Sequence, residues 1–180
     1  MPPPHPRRNP PHHPGLRIEA LSAASVDAAR SLLLEYGRFV LDSEGPSRFC
    51  FGDLQREVDH LSATFDGDRG QLLLAWVDAA PAGCVSWRAM KSLPGGCEMK
   101  RLWVRPQFRG LRLGERLVAE LIERARTAGF TAVYLDTVPA SMASACRMYQ
   151  RMGFKECAPY HASPRDGLAF MRLSLDSGSR

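Results

Sequence analysis

Apolar and polar positions begin to alternate at Leu16-Arg17-Ile18-Glu19-Ala20-Leu21, which predicts a short strand. Val26, Ala29, Leu33, Tyr36 and Val40 then recur at helical spacing behind two N-cap candidates, Ser22 and Ser25, and predict a helix over 25–41. A second stripe, Leu54, Val58, Leu61 and Phe65, predicts a helix over 51–65 that stops at the turn cluster 66–70. Strand patterns follow at 71–77, 83–90 and 97–104. The connections between them, rich in proline, glycine and alanine, are short enough to favour an antiparallel meander. The period then lengthens. Leu117, Val118, Leu121, Ile122 and Ala125 mark a helix over 113–128, with Gly129 as its stop. A strand over 131–136, a helix over 139–152 ended by Gly153, and strands over 154–158 and 168–175 complete the chain. Antiparallel strands followed by a strand-helix-strand crossover predict an α+β domain with a mixed, mostly antiparallel central sheet flanked by helices.

Seven of the chain's 14 prolines fall within residues 1–15, where no apolar periodicity exists. That stretch is expected to be a disordered tail, with one folded domain over 16–176. His5, His12 and His13 lie in the tail without a carboxylate or cysteine beside them, so a solvated tail is the expectation over a metal site. The 180 residues, 44% hydrophobic and 24% charged, fit one globular domain. The N-terminus has no secretory apolar core, and no run approaches the ~20 apolar residues of a membrane span. The five cysteines, Cys50, Cys84, Cys97, Cys146 and Cys157, are odd in number and lack C-x-x-C spacing. They predict reduced thiols in a cytoplasmic protein, with no zinc site. The net charge of +5 is compatible with nucleic acid, with an anionic small ligand, or with no specific partner. Helix-turn-helix spacing, zinc ligands and an aromatic-basic ribonucleoprotein pattern are all missing, which speaks against nucleic acid.

The stretch from Val104 to Leu117 carries the chemistry. A strand runs into a loop containing Gln107, Arg109, Gly110 and Arg112, and the loop runs into a helix. The first N–H groups of a helix have no internal partner and point at whatever anion sits there. Gly110 allows a left-handed turn, and the arginines can add charge-assisted contacts to phosphate. The Walker signature and the dinucleotide fingerprint are both absent. The bland alternative is an arginine-rich helix entry.

Four segments occur in a fixed order: Glu98-Met-Lys-Arg-Leu-Trp-Val104, Gln107-x-x-Gly110-x-x-x-Gly114, Leu135-Asp-Thr137 and Ala145-x-x-x-Tyr149-x-x-x-Gly153-Phe154. Together they resemble the GNAT superfamily of N-acetyltransferases, over about residues 16–175. The resemblance implies the GNAT-like fold, acetyl-CoA as cosubstrate, and direct transfer of an acetyl group to a primary amine of a small molecule or peptide. It implies that Leu102, Trp103 and Val104 pair their backbone with the pantetheine arm, the backbone near Leu102 polarising the thioester carbonyl. Gln107, Arg109, Gly110, Leu111, Arg112, Leu113 and Gly114 would form the pyrophosphate loop. Arg112 stands where Gly or Ala is usual, and its side chain must project outward or toward the phosphates. Glu98 aligns with a strand carboxylate that many members use as general base. Partial burial would raise its pKa, whereas the alternative is an ion pair with Lys100 or Arg101. Tyr149 aligns with a tyrosine beside the CoA sulfur that hydrogen-bonds or protonates the thiolate; the alternative is a core aromatic. Met142 replaces an asparagine that often contacts CoA, and Met142 and Cys146 share the helix face of Tyr149, where the cofactor would lie. Cys146 is expected to be a buried thiol rather than a nucleophile.

Asp136 and Thr137 sit at a strand end, as active-site groups or as a helix cap. The acceptor is not legible. Tyr36, Phe39, Phe49, Phe51, Trp87, Tyr160 and His161 are candidates to line its pocket, and Arg88 can meet an acceptor carboxylate or simply face water. The other function open to the chain is a non-catalytic acyl-CoA-binding or sensory module of the same fold. A homodimer is open, and no membrane or nucleic-acid partner is expected.

Overall fold

The computed structural model describes residues 15–45, 51–65, 67, 70–162 and 167–175. Histidines 5, 12 and 13 and Phe49 lie outside the described residues, as does the expected tail except for Gly15. Gly15 donates its N–H to the Asp78 carboxylate at 2.9 Å and accepts the Asp78 N–H at 2.8 Å, so it belongs to the sheet edge.

In chain order the strands are β1 (Leu16–Ala20), β2 (Gly70–Val77), β3 (Ala80–Ala89), β4 (Gly96–Val104), β5 (Ala132–Thr137), β6 (Lys155–Glu156) and β7 (Ala169–Ser174). The helices are α1 (Val26–Glu44), α2 (Phe51–Asp59), α3 (Leu61–Thr64), α4 (Leu113–Thr127) and α5 (Ala143–Arg151). The strands form one seven-stranded sheet in the order β1-β2-β3-β4-β5-β7-β6. All neighbours are antiparallel except β4 and β5. That sheet is the mixed, mostly antiparallel one expected from the sequence.

Three boundaries differ for physical reasons. The helix expected over 51–65 breaks at His60, whose φ of −126° and ψ of 39° interrupt it between α2 and α3. The helix expected from Pro139 begins only at Ala143; Ser141 and Met142 instead donate their N–H groups to the Val138 carbonyl in a tight turn. The strand expected over 154–158 pairs only at Lys155 and Glu156.

The sheet is covered on both faces, so β2 (GQLLLAWV) is almost wholly apolar. Leu72 and Leu74 pack with Ala29, Leu32 and Leu33 of α1 and with Leu54 and Val58 of α2. Leu73 and Ala75, on the other face, pack with Leu117, Val118 and Leu121 of α4. No helix among the described residues is long and apolar enough to cross a membrane.

Candidate active site

The parallel pair β4–β5 holds for three residues only: Gly96 opposite Ala132, Cys97 opposite Val133 and Glu98 opposite Tyr134. Beyond Glu98 the two strands part. The cause lies in β4. Between Ser86↔Lys100 and Cys84↔Trp103, three steps of β4 oppose two of β3, which is a β-bulge, and Arg101 within it has φ +60°. The Arg101 side chain is 8% exposed and bonds Glu57 of α2 twice, at 2.8 and 3.1 Å. From Met99 onward the β5-facing edge of β4 therefore has no strand partner among the described residues. The opening is a narrow slot lined by Tyr36, Lys100, Leu102, Asp136, Met142 and Tyr149, among others.

At the far end of β4, Arg105 is held by Glu35 at 2.7 Å and by the Pro81 carbonyl at 2.7 Å. The chain then turns through a 3-10 turn, Pro106–Phe108, into Gly110 with φ +92° and Arg112 with φ +56°. A side chain at Gly110 would meet no atom, so the glycine serves the left-handed backbone alone. Arg112 is the N-cap of α4 without a side-chain cap bond, which leaves the first-turn N–H groups of the helix uncapped by side chains. The Arg112 side chain projects outward and bonds Glu115 at 2.8 and 3.0 Å. Arg109 lies over the Trp103 ring at 5.4 Å. Leu111 is 43% exposed at the tip of the loop, whereas Leu113 is buried with Val77 and Ala82 and fixes the helix start. Trp103 is also core, its ring 5.1 Å from that of Phe39. Among the expected cofactor residues, Leu113 and Trp103 can thus contribute only backbone.

Glu98 differs from expectation in its electrostatics. It is 3% exposed. Arg88 holds Oε2 at 2.9 Å, while Lys100 at 3.4 Å and the Tyr160 hydroxyl at 3.2 Å hold Oε1. Burial pushes its pKa up, but Lys100, Arg88 and the donated hydrogen bonds outweigh it and hold the carboxyl below its ordinary value. The expected raised pKa is overturned. Of the two alternative ion-pair partners, Lys100 is one; Arg101 turns to Glu57, and Arg88 takes the other place.

Tyr149 is buried in the core beneath the slot and tilts against Phe154 with ring centroids 5.7 Å apart. Burial raises its pKa, so the hydroxyl stays protonated. Thr137 donates to Met142 Sδ at 3.7 Å and accepts from Cys146 Sγ at 3.8 Å, which gathers both beside Thr137, with Met142, but not Cys146, lining the slot. Burial pushes the thiols of Cys84 and Cys97 up to about 12, leaving them inert.

The acceptor candidates divide. Phe39 is core, and Trp87, 1% exposed, packs in the core while also bordering the cavity that Arg88 and Lys100 line. The Phe51 side chain lies outside the described ones. Tyr36 lines the slot. Tyr160 and His161 stand beside it: the Tyr160 ring packs edge-on against Tyr134 and Phe170, and His161 Nε2 lies 3.2 Å from Asp136 Oδ2. Asp136 and His161 were legible only as separate candidates, since a strand end and a residue 25 positions on carry no shared motif. Glu98, Asp136 and His161 offer donor atoms all within 4.8 Å of one another, but a metal ion would have to displace Arg88 and Lys100 from Glu98. A second cavity of about 280 Å³ adjoins through Lys100 and is lined by Asp53, Glu57, Phe65, Ser86 and Arg88. A further concavity of about 610 Å³ is a wide saddle between α4 and β1 that shares no residue with the slot.

The family model "Acetyltransferase (GNAT) family" matches residues 37–154, which span both strands of the slot, the loop and α5. An uncharacterized N-acetyltransferase of Schizosaccharomyces pombe is 36% identical over 126 residues, 69% of this chain and 76% of that protein. Among solved structures, a GNAT-family acetyltransferase from Staphylococcus aureus superposes with a TM-score of 0.73 at 17% identity, covering 90% of this chain and all of the other. A protein of Salmonella typhimurium solved with its cofactor acetyl-CoA superposes with a TM-score of 0.68 at 21% identity, covering 92% and 97%. The parted strands, the uncapped helix start and the matched segment agree, and the chain belongs to the GNAT family of acetyltransferases.

Proposed function

We propose that the protein transfers an acetyl group from acetyl-CoA directly to a primary amine of a small molecule or peptide. The observation that carries this reading is the slot lined by Tyr149 along the unpaired edge of β4, a strand that runs on through the glycine loop to the uncapped start of α4. Its parts fit acetyl-CoA. The backbone around Gly110 to Gly114 suits a pyrophosphate, and the free edge at Leu102 to Val104 suits an amide-bearing arm. When bound, acetyl-CoA supplies an activated acyl carbon with a thiolate leaving group. Tyr149 sits where it can donate a hydrogen bond to that sulfur. Its raised pKa lies well above that of a thiol, about 8.5, which favours hydrogen bonding over complete proton transfer. The acceptor would enter through the cavity that shares Lys100 with the slot. Glu98, closed off by two cations, fits an anchoring role better than that of a base. Unpaired thiols at Cys84, Cys97, Cys146 and Cys157 favour a cytoplasmic setting.

The test is a panel of amines with acetyl-CoA, following release of free CoA. Release that depends on one class of amine supports the reading. Acetyl-CoA binding without release on any amine would replace it with a non-catalytic acyl-CoA-binding role.

A further inference from the structure

The acceptor amine must lose a proton before it attacks, because an alkyl ammonium with a pKa of about 10 has no lone pair at neutral pH. With both Glu98 oxygens taken by Arg88, Lys100 and Tyr160, the proton needs another acceptor. Asp136 lines the slot from β5, as Thr137 does, and Tyr149 lines it from α5. Its Oδ2 lies 3.2 Å from His161 Nε2, and among the described residues it has no other ion-pair partner. His161 is turned toward solvent, with 35% of its side chain exposed, and its Nδ1 lies 3.3 Å from the Ala162 carbonyl at that outer edge. The ring is held edge-on between Tyr160 and Phe170, at 5.0 and 5.1 Å.

We propose that Asp136 and His161 work as one proton acceptor, with Asp136 touching the amine in the slot and His161 passing its proton to water. The idea rests on the amine-acetylation reading above. The ammonium N–H proton moves to Asp136 and on to His161 Nε2, which leaves a carboxylate beside an imidazolium rather than a neutral acid. The freed lone pair forms the C–N bond, and the C–S bond breaks with its electron pair going to sulfur. The nitrogen then gives up its second proton by the same route. Sulfur takes one proton from water, so one proton is released in all. An imidazole suits the outer position because it has two ring nitrogens, one 3.2 Å from Asp136 and the other at the exposed edge beside the Ala162 carbonyl, so a proton taken on one side can leave on the other. The groups facing it are Asp136 of β5, Glu98 of β4 with its cations Arg88 and Lys100, Tyr160 of its own segment and the apolar ring of Phe170 on β7.

The experiment compares His161→Gln, Asp136→Asn, the double variant and Glu98→Gln. Each is assayed as a pH–rate profile on the amine that the wild type acetylates best. Glutamine and asparagine keep hydrogen-bonding shape but cannot carry the proton. We expect each of the first two to lose about 10²-fold in kcat near pH 7. The loss should close as pH approaches the amine's own pKa, and the double variant should be no worse than the worse single. The melting shift caused by acetyl-CoA should be unchanged in all three. Wild-type rates in either single variant, a deficit constant across pH, multiplicative losses in the double, or the pH-dependent loss appearing in Glu98→Gln would each overturn the pairing while leaving acetylation intact. A wild type that acetylates no amine overturns both ideas.

Discussion

Glu98, itself buried, is gripped by Arg88, Lys100 and Tyr160, and the sign of its pKa shift decides what it contributes. Its folded pKa is below the ordinary 4.5, so the stability it adds is present above that value and lost as pH falls through the folded one. Glu98→Gln should therefore destabilise the fold at pH 7 by about 1.5–3 kcal/mol, the range for hydrogen bonds to charged groups. In urea titrations the difference from wild type should shrink steadily below about pH 4.5. A gap that stays constant down to pH 3 would mean the carboxylate is not the ionised member of the cluster. The sequence suggested an ion pair for this residue but not its strength. Lys100 is two positions away on the same strand face and could be anticipated. Arg88 and Tyr160 are 10 and 62 positions away and arrive only through strand register and a loop. For the same reason the sequence favoured the opposite pKa direction, since one nearby lysine does not outweigh burial and the added contributions of Arg88 and Tyr160 are not visible in it.

At the scale of elements, the ion pair of Arg101 with Glu57 ties α2 to the bulge that opens the slot. Both side chains are largely buried, at 8% and 15% exposed, so removing Glu57 takes a two-bond anionic partner from a buried guanidinium. Glu57→Ala should cost about 3–5 kcal/mol in denaturant unfolding. If it costs less than about 1 kcal/mol, like an exposed pair, the tie is not what fixes α2. The loop before α4 makes a contrasting case. Arg112 has φ +56° yet, among the described residues, its side chain bonds only Glu115 in the next turn. Glycine adopts that backbone freely, so Arg112→Gly should hold or raise the melting temperature and leave acetyl-CoA affinity close to wild type at physiological salt. A large loss of affinity would mean the arginine leaves Glu115 to meet phosphate. The periodicity of α1 and α4 and the meander of β2 to β4 were legible because each obeys one local period. The break at His60 and the late start of α5 were not, since both depend on local backbone geometry rather than on an apolar stripe.

The whole molecule is a sheet divided by one gap. Its two halves share three residue pairs between β4 and β5, while helices cover both faces. The order of elements and the spacing of the glycine loop from Tyr149 made that plan legible as a family resemblance. The gap itself was not, because a strand that stops pairing midway looks in sequence like one that continues. This architecture predicts where ligand binding should register. A ligand that binds only the native state adds about 2.7 kcal/mol at 100 times its Kd, which in a domain of this size is a rise of roughly 5–10 °C. Acetyl-CoA should produce that rise, and the local response should be sharper still. Backbone amides of β4 from Met99 to Val104 have no β5 partner, and those at the start of α4 lack side-chain caps. Hydrogen exchange with and without acetyl-CoA should therefore show new protection in these two segments. Residues 96–98, already paired with β5, should change little, and so should β1 and β2 at the far edge. A compound carrying only the adenosine diphosphate part should protect the α4 start and not the free edge of β4. Uniform protection across the sheet would point to general stiffening without occupation of the slot, and protection confined to the saddle between α4 and β1 would place the ligand elsewhere.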